Sequence, residues 1–237
     1  IQSKGAYDIS IGPLSSLWRK ARKAKLFPEA STVLATKKLV GLNQVKINKR
    51  LGTIFLPNAD MQLDFGGIAK GYIAQWVINF LKANGIQQAL VDAGGDIVMS
   101  GPPLNQQGWL IGVNLPETTD DLLNKKLQLS NCSVATSGDV YQFIEYKGVK
   151  YSHIINPLTG YGVTNLRNVT IVAKTGATAD WLATACSILP IQEAKQLAIS
   201  HQAALLITTL KNGKLVFEAT PNFKNYWQTT NIIQGKK

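Results

Sequence analysis

The chain has 237 residues, of which 45% are hydrophobic and 16% charged, so it can bury a large core and does not belong to the disordered class. Its formal net charge is +11, but the basic residues are scattered and no nucleic-acid module signature accompanies them, so we expect a solvated basic surface and no nucleic-acid partner. No apolar run approaches the roughly 18 residues that a membrane span requires.

The first half of the chain contains two predicted helices with a hairpin between them. Residues 12–24 have an apolar face and a proline, Pro13, in the first turn. Residues 44–48 and 53–56 are strand-like and close enough in sequence to form a hairpin. The strongest helical pattern covers residues 69–83, where apolar positions keep i, i+3, i+4 spacing until Asn84-Gly85 ends the helix.

The second half alternates extended segments with two further helices. Helices are predicted at residues 177–189, stopped by Pro190, and at residues 191–200. Hairpin-like neighbours combined with long helices favour an α+β fold with mixed, largely antiparallel sheets over a doubly wound parallel sheet. The extended segments are residues 88–92, 97–99, 109–113, 127–134, 140–144 and 168–173, followed by a final strand pair at 204–208 and 215–218.

A glycine-dense turn runs directly into the helix at residues 69–83. It reads Asp64-Phe65-Gly66-Gly67-Ile68-Ala69-Lys70-Gly71-Tyr72. Such a turn brings backbone N–H groups close to a phosphate at the positive end of a helix. It equally fits a tight strand-to-helix connection, with Asp64 at the helix entry and Lys70 on the surface. In the functional alternative, Asp64 anchors a ligand and Lys70 is a cation placed against phosphate.

A carboxylate and a hydroxyl lie four residues apart on the next helix, at Asp180 and Thr184. This spacing puts both side chains on one helical face, which suits a hard divalent cation such as Mg²⁺. An isolated acid in so apolar a helix is costly to bury unless it is paired or bound to metal. The alternative is that Asp180 lies in the first turn and is favoured by the helix dipole.

The two histidines and two cysteines complete the reactive side chains. His153 lies where a strand ends in a turn and fits a hydrogen-bonded strand residue; His201 follows a helix end and is expected to be structural. Cys132 and Cys186 lack metal-binding spacing and fit either buried thiols or one bridge.

Taken together, the motifs resemble those of the FAD:protein FMN transferase (ApbE) family. They occur in the family's order and cover nearly the whole chain. They are Ala6-Tyr7-Asp8-Ile9-Ser10-Ile11-Gly12-Pro13-Leu14 with Leu17-Trp18, the 64–72 segment, Asp92-Ala93-Gly94-Gly95-Asp96, Ala135-Thr136-Ser137-Gly138-Asp139, and residues 153–160 with 178–184.

The resemblance implies a single ApbE-like (T-fold-like) domain over residues 1–237 that uses Mg²⁺ to transfer FMN from FAD to a Thr or Ser hydroxyl of an acceptor flavoprotein, releasing AMP. It implies His153 as the base. It implies Asp180, Thr184 and a main-chain oxygen of Gly67 as metal ligands. The FAD-binding residues implied by the resemblance are Ala6, Tyr7, Asp8, Asp64, Lys70 and Ile154.

The chain also departs from the family pattern. Ala183 stands where relatives often have an extra acid, and Asn156 replaces the usual Asp of the histidine motif. Relatives carry a further segment before the Ala6 motif, and we expect this sequence to lack it. The family further implies a periplasmic or cell-surface location with a possible membrane tether through that segment. Hydrolysis of FAD to FMN and AMP, and FAD binding without catalysis, are the alternative functions.

Overall fold

The computed structural model describes residues 2–114, 125–138, 142–211 and 214–228. Its helices are α1 (Gly12–Ala24), α2 (Ala30–Lys37), α3 (Ala69–Ala83), α4 (Gly176–Ile188) and α5 (Ile191–Ser200). Short 3₁₀ helices lie at Leu42–Gln44 and Pro221–Tyr226. The strands are β1 (Lys46–Asn48), β2 (Thr53–Phe55), β3 (Leu90–Asp92), β4 (Ile97–Met99), β5 (Trp109–Ile111), β6 (Leu127–Leu129), β7 (Ser133–Ser137), β8 (Phe143–Tyr146), β9 (Val149–Ser152), β10 (Arg167–Ala173), β11 (Ala204–Lys211) and β12 (Lys214–Ala219).

A six-stranded antiparallel sheet forms the centre of the molecule, in the order β12-β11-β10-β7-β4-β3. Three separate hairpins, β1-β2, β5-β6 and β8-β9, surround it. The α+β class with largely antiparallel sheets is therefore confirmed. The predicted extended segment 127–134 is interrupted between β6 and β7, where Asn131 adopts a left-handed conformation with φ 51°.

Both faces of the central sheet are buried, because β10 and β11 alternate their side chains between two cores. Ile171 and Leu205 face α4 and α5, whereas Val172 and Leu206 face the β5-β6 hairpin and Phe223 of the last 3₁₀ helix. Since every residue of β10 is buried, α4 has a rigid support beneath it. That support fixes the position of the side chains that α4 directs away from the sheet.

Helices α3 and α4 cross in close contact through two glycines. A Cβ atom on Gly71 would overlap the carbonyl oxygen of Gly176, and one on Gly176 would overlap the carbonyl oxygen of Gly71. Only glycine therefore permits this approach. The crossing brings the first turn of α3 against the first turns of α4, so the glycine-dense segment meets Asp180.

We expect Gly71→Ala to lower the free energy of unfolding by about 1–3 kcal/mol, although alanine is the better helix former, because the added methyl group must push two helix backbones apart. Urea unfolding measures the change. Lys82→Ala, on an exposed position of the same helix, is the control and should alter stability by less than about 0.5 kcal/mol. A Gly71→Ala variant as stable as the wild type would contradict the close crossing.

The bounds predicted for α3 are confirmed, but its apolar stripe does not face the core of the described residues. Gly71, Ala74 and Ile78 are buried, whereas Tyr72 and Trp76 are 62% and 61% exposed. The helix packs through its small residues because the Gly71–Gly176 contact requires a narrow face. Periodicity locates such a helix but does not say which of two apolar faces is covered.

Helix α1 is anchored by Trp18, whose indole is buried and donates a hydrogen bond to the carbonyl oxygen of Gly160 at 2.8 Å. The ring also contacts Phe27, Tyr151 and Tyr161. Through these contacts α1 holds the loop after β9, which carries His153. None of the helices in the described ranges is long and apolar enough to cross a membrane.

Candidate active site

All ten residues nominated from the sequence line one cavity of about 440 Å³. They reach it from four separate parts of the chain, which the crossing of α3 and α4 and the anchoring of α1 bring together. These residues are Ala6, Tyr7, Asp8, Asp64, Gly67, Lys70, His153, Ile154, Asp180 and Thr184.

The glycine-dense turn and α4 touch at two points. A Cβ atom on Gly67 would lie 2.8 Å from Oγ1 of Thr184, so the turn backbone passes directly over that hydroxyl. One turn further, the backbone N–H of Gly71 donates to Oδ2 of Asp180 at 3.0 Å. Asp180 thus accepts one of the N–H groups that the start of α3 leaves without an intrahelical partner. Residues more than a hundred positions apart therefore share one site.

The carboxyl group of Asp180 is poorly solvated, since the residue is only 4% exposed. Burial raises its pKa from 3.8 to about 6, and the neighbouring Asp96 carboxyl adds to the rise. The Gly71 N–H bond and the Lys70 ammonium oppose it. A buried acid beside a second acid is an environment that a cation would stabilise.

The donor set around Asp180 fits a hard cation. Among the described residues, no group of three or more His, Cys, Asp and Glu side chains could hold a metal, so a zinc-type centre is not indicated for that part of the chain. The cradle instead offers the Asp180 carboxylate, the Thr184 hydroxyl and the backbone of Gly67. Within the described residues the Thr184 hydroxyl is held only by a long contact, 3.5 Å from Ser137 Oγ. Mg²⁺ commonly takes few protein oxygens and completes its shell with phosphates and water.

Tyr7 directs an unused donor into the cavity. Its hydroxyl is buried and has no hydrogen-bond partner among the described residues. Burial and the carboxylates of Asp180 and Asp64 raise its pKa, so the phenol keeps its proton. Asp64 accepts the N–H of Gly66 at 2.8 Å, which fixes the turn. A buried O–H without a partner suits a ligand that supplies an acceptor.

Three of the residues that line the cavity shape its wall: the Asp8 carboxylate is already hydrogen-bonded within the protein, and Ala6 and Ile154 are apolar. The Asp8 carboxylate accepts both the N–H and the hydroxyl of Ser10, at 2.8 and 2.6 Å, and the N–H of Leu42 at 3.0 Å. It therefore ties the segment before α1 to the segment after α2. Ala6 and Ile154 are buried, 1% and 8% exposed, and contribute apolar wall.

Lys70 forms an ion pair with an acid to which the sequence analysis assigned no role. Its Nζ lies 2.7 Å from Oδ2 of Asp96, whose side chain is only 4% exposed. The approach is not aligned as a hydrogen bond, so the contact is electrostatic. Asp96 ends the Asp92–Asp96 glycine motif, directly before β4. An acid between two glycines and a strand was the sequence feature that could have indicated a functional role for Asp96.

The Lys70–Asp96 pair should respond asymmetrically to truncation. Lys70→Met leaves a buried carboxylate without its cation and should destabilise the protein by about 2–4 kcal/mol. Asp96→Asn leaves an ammonium whose side chain is 49% exposed, which water can solvate, so the loss should be below about 1 kcal/mol. Urea unfolding of both variants measures the difference. Equal losses would show that the pair is not buried on the Asp96 side.

His153 lies at the cavity wall immediately after β9. Its backbone N–H donates to the carbonyl oxygen of Gln142 at 2.8 Å, and its Nδ1 is buried without a hydrogen-bond partner in the described part of the chain. Burial lowers the pKa of His153, and Arg22 and Lys70 lower it further. The imidazole is therefore neutral at ordinary pH and able to accept a proton.

Other residues behave as expected or lie outside the described ranges. His201 follows α5 and packs edge-on against Trp181, a contact that supports the structural role predicted for it. Cys132 and Cys186 are free thiols. The last residue of the 135–139 motif, Asp139, lies outside the described residues. Arg19 and Arg22 of α1 also line the cavity, which the sequence analysis did not predict. The only sequence signal for this role was that they lie three residues apart, on the face of α1 next to its buried face.

The fold and the cavity define an α+β protein that brings a glycine-rich turn and a buried carboxylate to one deep ligand site. The chain belongs to the ApbE family, whose model matches residues 1–207. The resemblance stated from the sequence motifs is thereby confirmed.

Curated relatives and solved structures agree with this membership. The chain is 29% identical to a FAD:protein FMN transferase of Vibrio cholerae over 229 residues, covering 94% of this chain and 67% of the relative. A FAD:protein FMN transferase of Treponema pallidum is 32% identical over 202 residues, covering 79% and 56%. The ApbE protein of Thermotoga maritima superposes with a TM-score of 0.85 at 29% identity, covering 96% and 74%. The flavin transferase ApbE of Vibrio cholerae gives a TM-score of 0.83 at 28% identity, covering 95% and 72%.

The chain spans between 54% and 67% of the length of the first three curated relatives. Family membership and fold are established for this chain by the family model and the structural matches, whereas its substrates, acceptor and metal are matters for the proposal that follows.

Proposed function

We propose that this protein transfers FMN from FAD to a Thr or Ser hydroxyl of an acceptor flavoprotein, with release of AMP, and that residues 1–237 act as one ApbE-like domain. The observation that carries the proposal is the meeting of the Gly66-Gly67 turn with Thr184 and Asp180 across one cavity. The relatives named FAD:protein FMN transferase support the reaction.

In this proposal the cavity binds the diphosphate of FAD. The start of α3 and the Lys70 ammonium offer positive charge, and Tyr7 offers an O–H that has no partner of its own among the described residues. Asp180, Thr184 and the main-chain oxygen of Gly67 would hold Mg²⁺. When bound, the ion would neutralise negative charge on the diphosphate. Ala6, Asp8, Asp64 and Ile154 shape the rest of the FAD site.

His153 serves as the base in this proposal. The acceptor hydroxyl oxygen attacks the phosphorus of the FMN half, the bond from that phosphorus to the bridging oxygen breaks, and AMP leaves with that oxygen. The proton of the hydroxyl passes to His153, whose neutral imidazole is favoured by burial and by neighbouring cations. Products are the FMN phosphoester of the acceptor and AMP, so atoms and charges balance.

The test is incubation with FAD, Mg²⁺ and an acceptor flavoprotein domain containing one modifiable threonine. We expect covalent flavin on the acceptor and AMP in equal amounts, and neither when the threonine is replaced by valine. Free FMN with unlabelled acceptor would favour the alternative hydrolase, in which water takes the acceptor's place. Tight FAD binding without AMP would favour a binding protein.

We further propose a periplasmic or cell-surface location, with a possible membrane tether outside the described residues. The support is family membership and the bacterial origin of the relatives. Fractionation of cells that express the full gene tests it, and recovery of the protein in the cytoplasm alone would contradict it.

A further inference from the structure

Arg22 occupies an unusual position at the cavity beside His153. It is partly buried, and among the described residues its guanidinium makes one hydrogen bond, which it donates through Nη2 to the side-chain oxygen of Gln142 at 3.3 Å. No carboxylate lies within ion-pair distance of it in residues 2–114, 125–138, 142–211 or 214–228. Because no carboxylate lies close to this partly exposed cation, its field at the cavity is not cancelled by an opposite charge.

Gln142 connects this arginine to His153. Its side chain accepts from Arg22 at 3.3 Å, and its backbone carbonyl accepts the N–H of His153 at 2.8 Å. Arg22 therefore braces, through one residue, the backbone from which the imidazole projects. Because α1 is itself anchored by the buried Trp18, the brace starts from a rigid element.

The other charges around the cavity are compensated more fully. Lys70 of α3, the second cation that acts on His153, is paired with Asp96 at 2.7 Å. Arg19 is 71% exposed and lies 3.9 Å from Asp64, so water and an acid both weaken its field. The cavity carboxylates that are already engaged are Asp8, Asp64, Asp96 and Asp180.

We propose that Arg22 is a positioning residue for His153: through Gln142 it fixes the imidazole at the cavity wall, and its uncompensated charge opposes formation of the imidazolium. This inference rests on the proposed role of His153 as the base. It assigns to α1 a part in the reaction beyond forming the cavity wall. The lowered pKa of His153, with burial as its first cause and Arg22 as its second, agrees with this assignment.

The chain allows a direct test because it has only two histidines. The titration of both imidazoles is followed by NMR in the wild type, Arg22→Gln and Arg22→Lys. Arg22→Gln should raise the pKa of His153 by about half a unit to one unit, while His201, which packs on Trp181, should titrate unchanged. Arg22→Lys retains the charge and should leave His153 close to the wild type.

Lys23→Gln, an equal charge change at an exposed position of the same helix, is the matched control and should shift neither histidine. In the transfer assay the acidic limb of kcat for Arg22→Gln should move to higher pH by the same amount, with KM for FAD changed by less than about twofold. If Arg22→Gln fails to fold, Arg22→Met removes the same charge and keeps the aliphatic stem.

An unchanged His153 titration in the folded Arg22 variant would overturn the inference, and so would an equal shift in Lys23→Gln. The titration requires neither FAD nor turnover. If Arg22→Gln shows the expected shift but the wild-type protein releases no AMP from FAD, the proposed function is refuted and the placement of Arg22 stands.

Discussion

Replacing Asp180 by asparagine is expected to abolish metal-dependent turnover and, in the absence of divalent ions, to stabilise the protein at neutral pH. Asparagine can still accept the N–H of Gly71 but has no charge to bury or to offer a cation. We expect the rate of AMP release with FAD and Mg²⁺ to fall by at least about a hundredfold. Such a pairing of lost activity with gained stability is expected where a site tolerates strain for function.

The stability gain follows from the pKa of Asp180, which is raised from 3.8 to about 6. The pKa of Asp180 is higher in the folded than in the unfolded protein. The free energy of unfolding of the wild type is therefore highest below about pH 4, where Asp180 is protonated in both states, and it falls as the pH rises through about 6. At about 1.4 kcal/mol per unit, the loss amounts to about 2–3 kcal/mol. Asp180→Asn should not show that decline.

Urea unfolding in chelator at about pH 4 and about pH 7.5 measures both forms. The variant should match the wild type at the lower pH and exceed it at the higher one. Asp60→Asn, which changes an exposed acid, is the control and should follow the wild type throughout. An Asp180→Asn protein that is less stable than the wild type at both pH values would make Asp180 a structural residue.

Replacing His153 by glutamine should reduce flavin transfer to an acceptor by about 10²–10⁴-fold, the usual contribution of a general base. Binding of FAD should change little, because glutamine remains polar and similar in size at the cavity wall. Because the pKa of His153 is lowered from 6.5, wild-type transfer should stay constant down to about that pH and fall only below it, provided that Mg²⁺ is saturating so that Asp180 stays ionised. The glutamine variant should lack this acidic limb.

His201→Gln is the matched control for that experiment. His201 packs on Trp181 and does not line the cavity, so its loss should leave transfer within about twofold of the wild type. Transfer rates at saturating FAD, with FAD affinity measured separately, decide the matter. A His153→Gln variant with an unchanged rate would remove His153 from the reaction.

The helices of this fold were the more predictable part of the structure. The bounds of α3 and α5 match the predicted residues 69–83 and 191–200, because caps and periodicity are local signals. Helix α2 was missed because Ala30–Lys37 has almost no segregation of polar and apolar faces. The outward apolar face of α3 was not foreseen either, since the Gly71–Gly176 contact that decides its orientation joins residues far apart in sequence.

The cavity residues that belong to local motifs could be predicted from the sequence. The contacts between side chains that are far apart in the chain could not. Asp180 and Thr184 could be placed on one helical face from spacing alone. The pairing of Asp96 with Lys70 and the hydrogen bond from Arg22 to Gln142 depend on tertiary contacts between segments that share no local pattern. The engaged carboxylate of Asp8 is a similar case, because its partner Leu42 follows a separate helix.

The most direct test is a crystal soaked with FAD and Mn²⁺, a scattering substitute for Mg²⁺, followed by an anomalous difference map. We predict an anomalous peak in contact with the Asp180 carboxylate and the Thr184 hydroxyl, with flavin nucleotide density over the Gly66-Gly67 turn. A nucleotide bound elsewhere, or an ion that contacts neither α4 side chain, would contradict it.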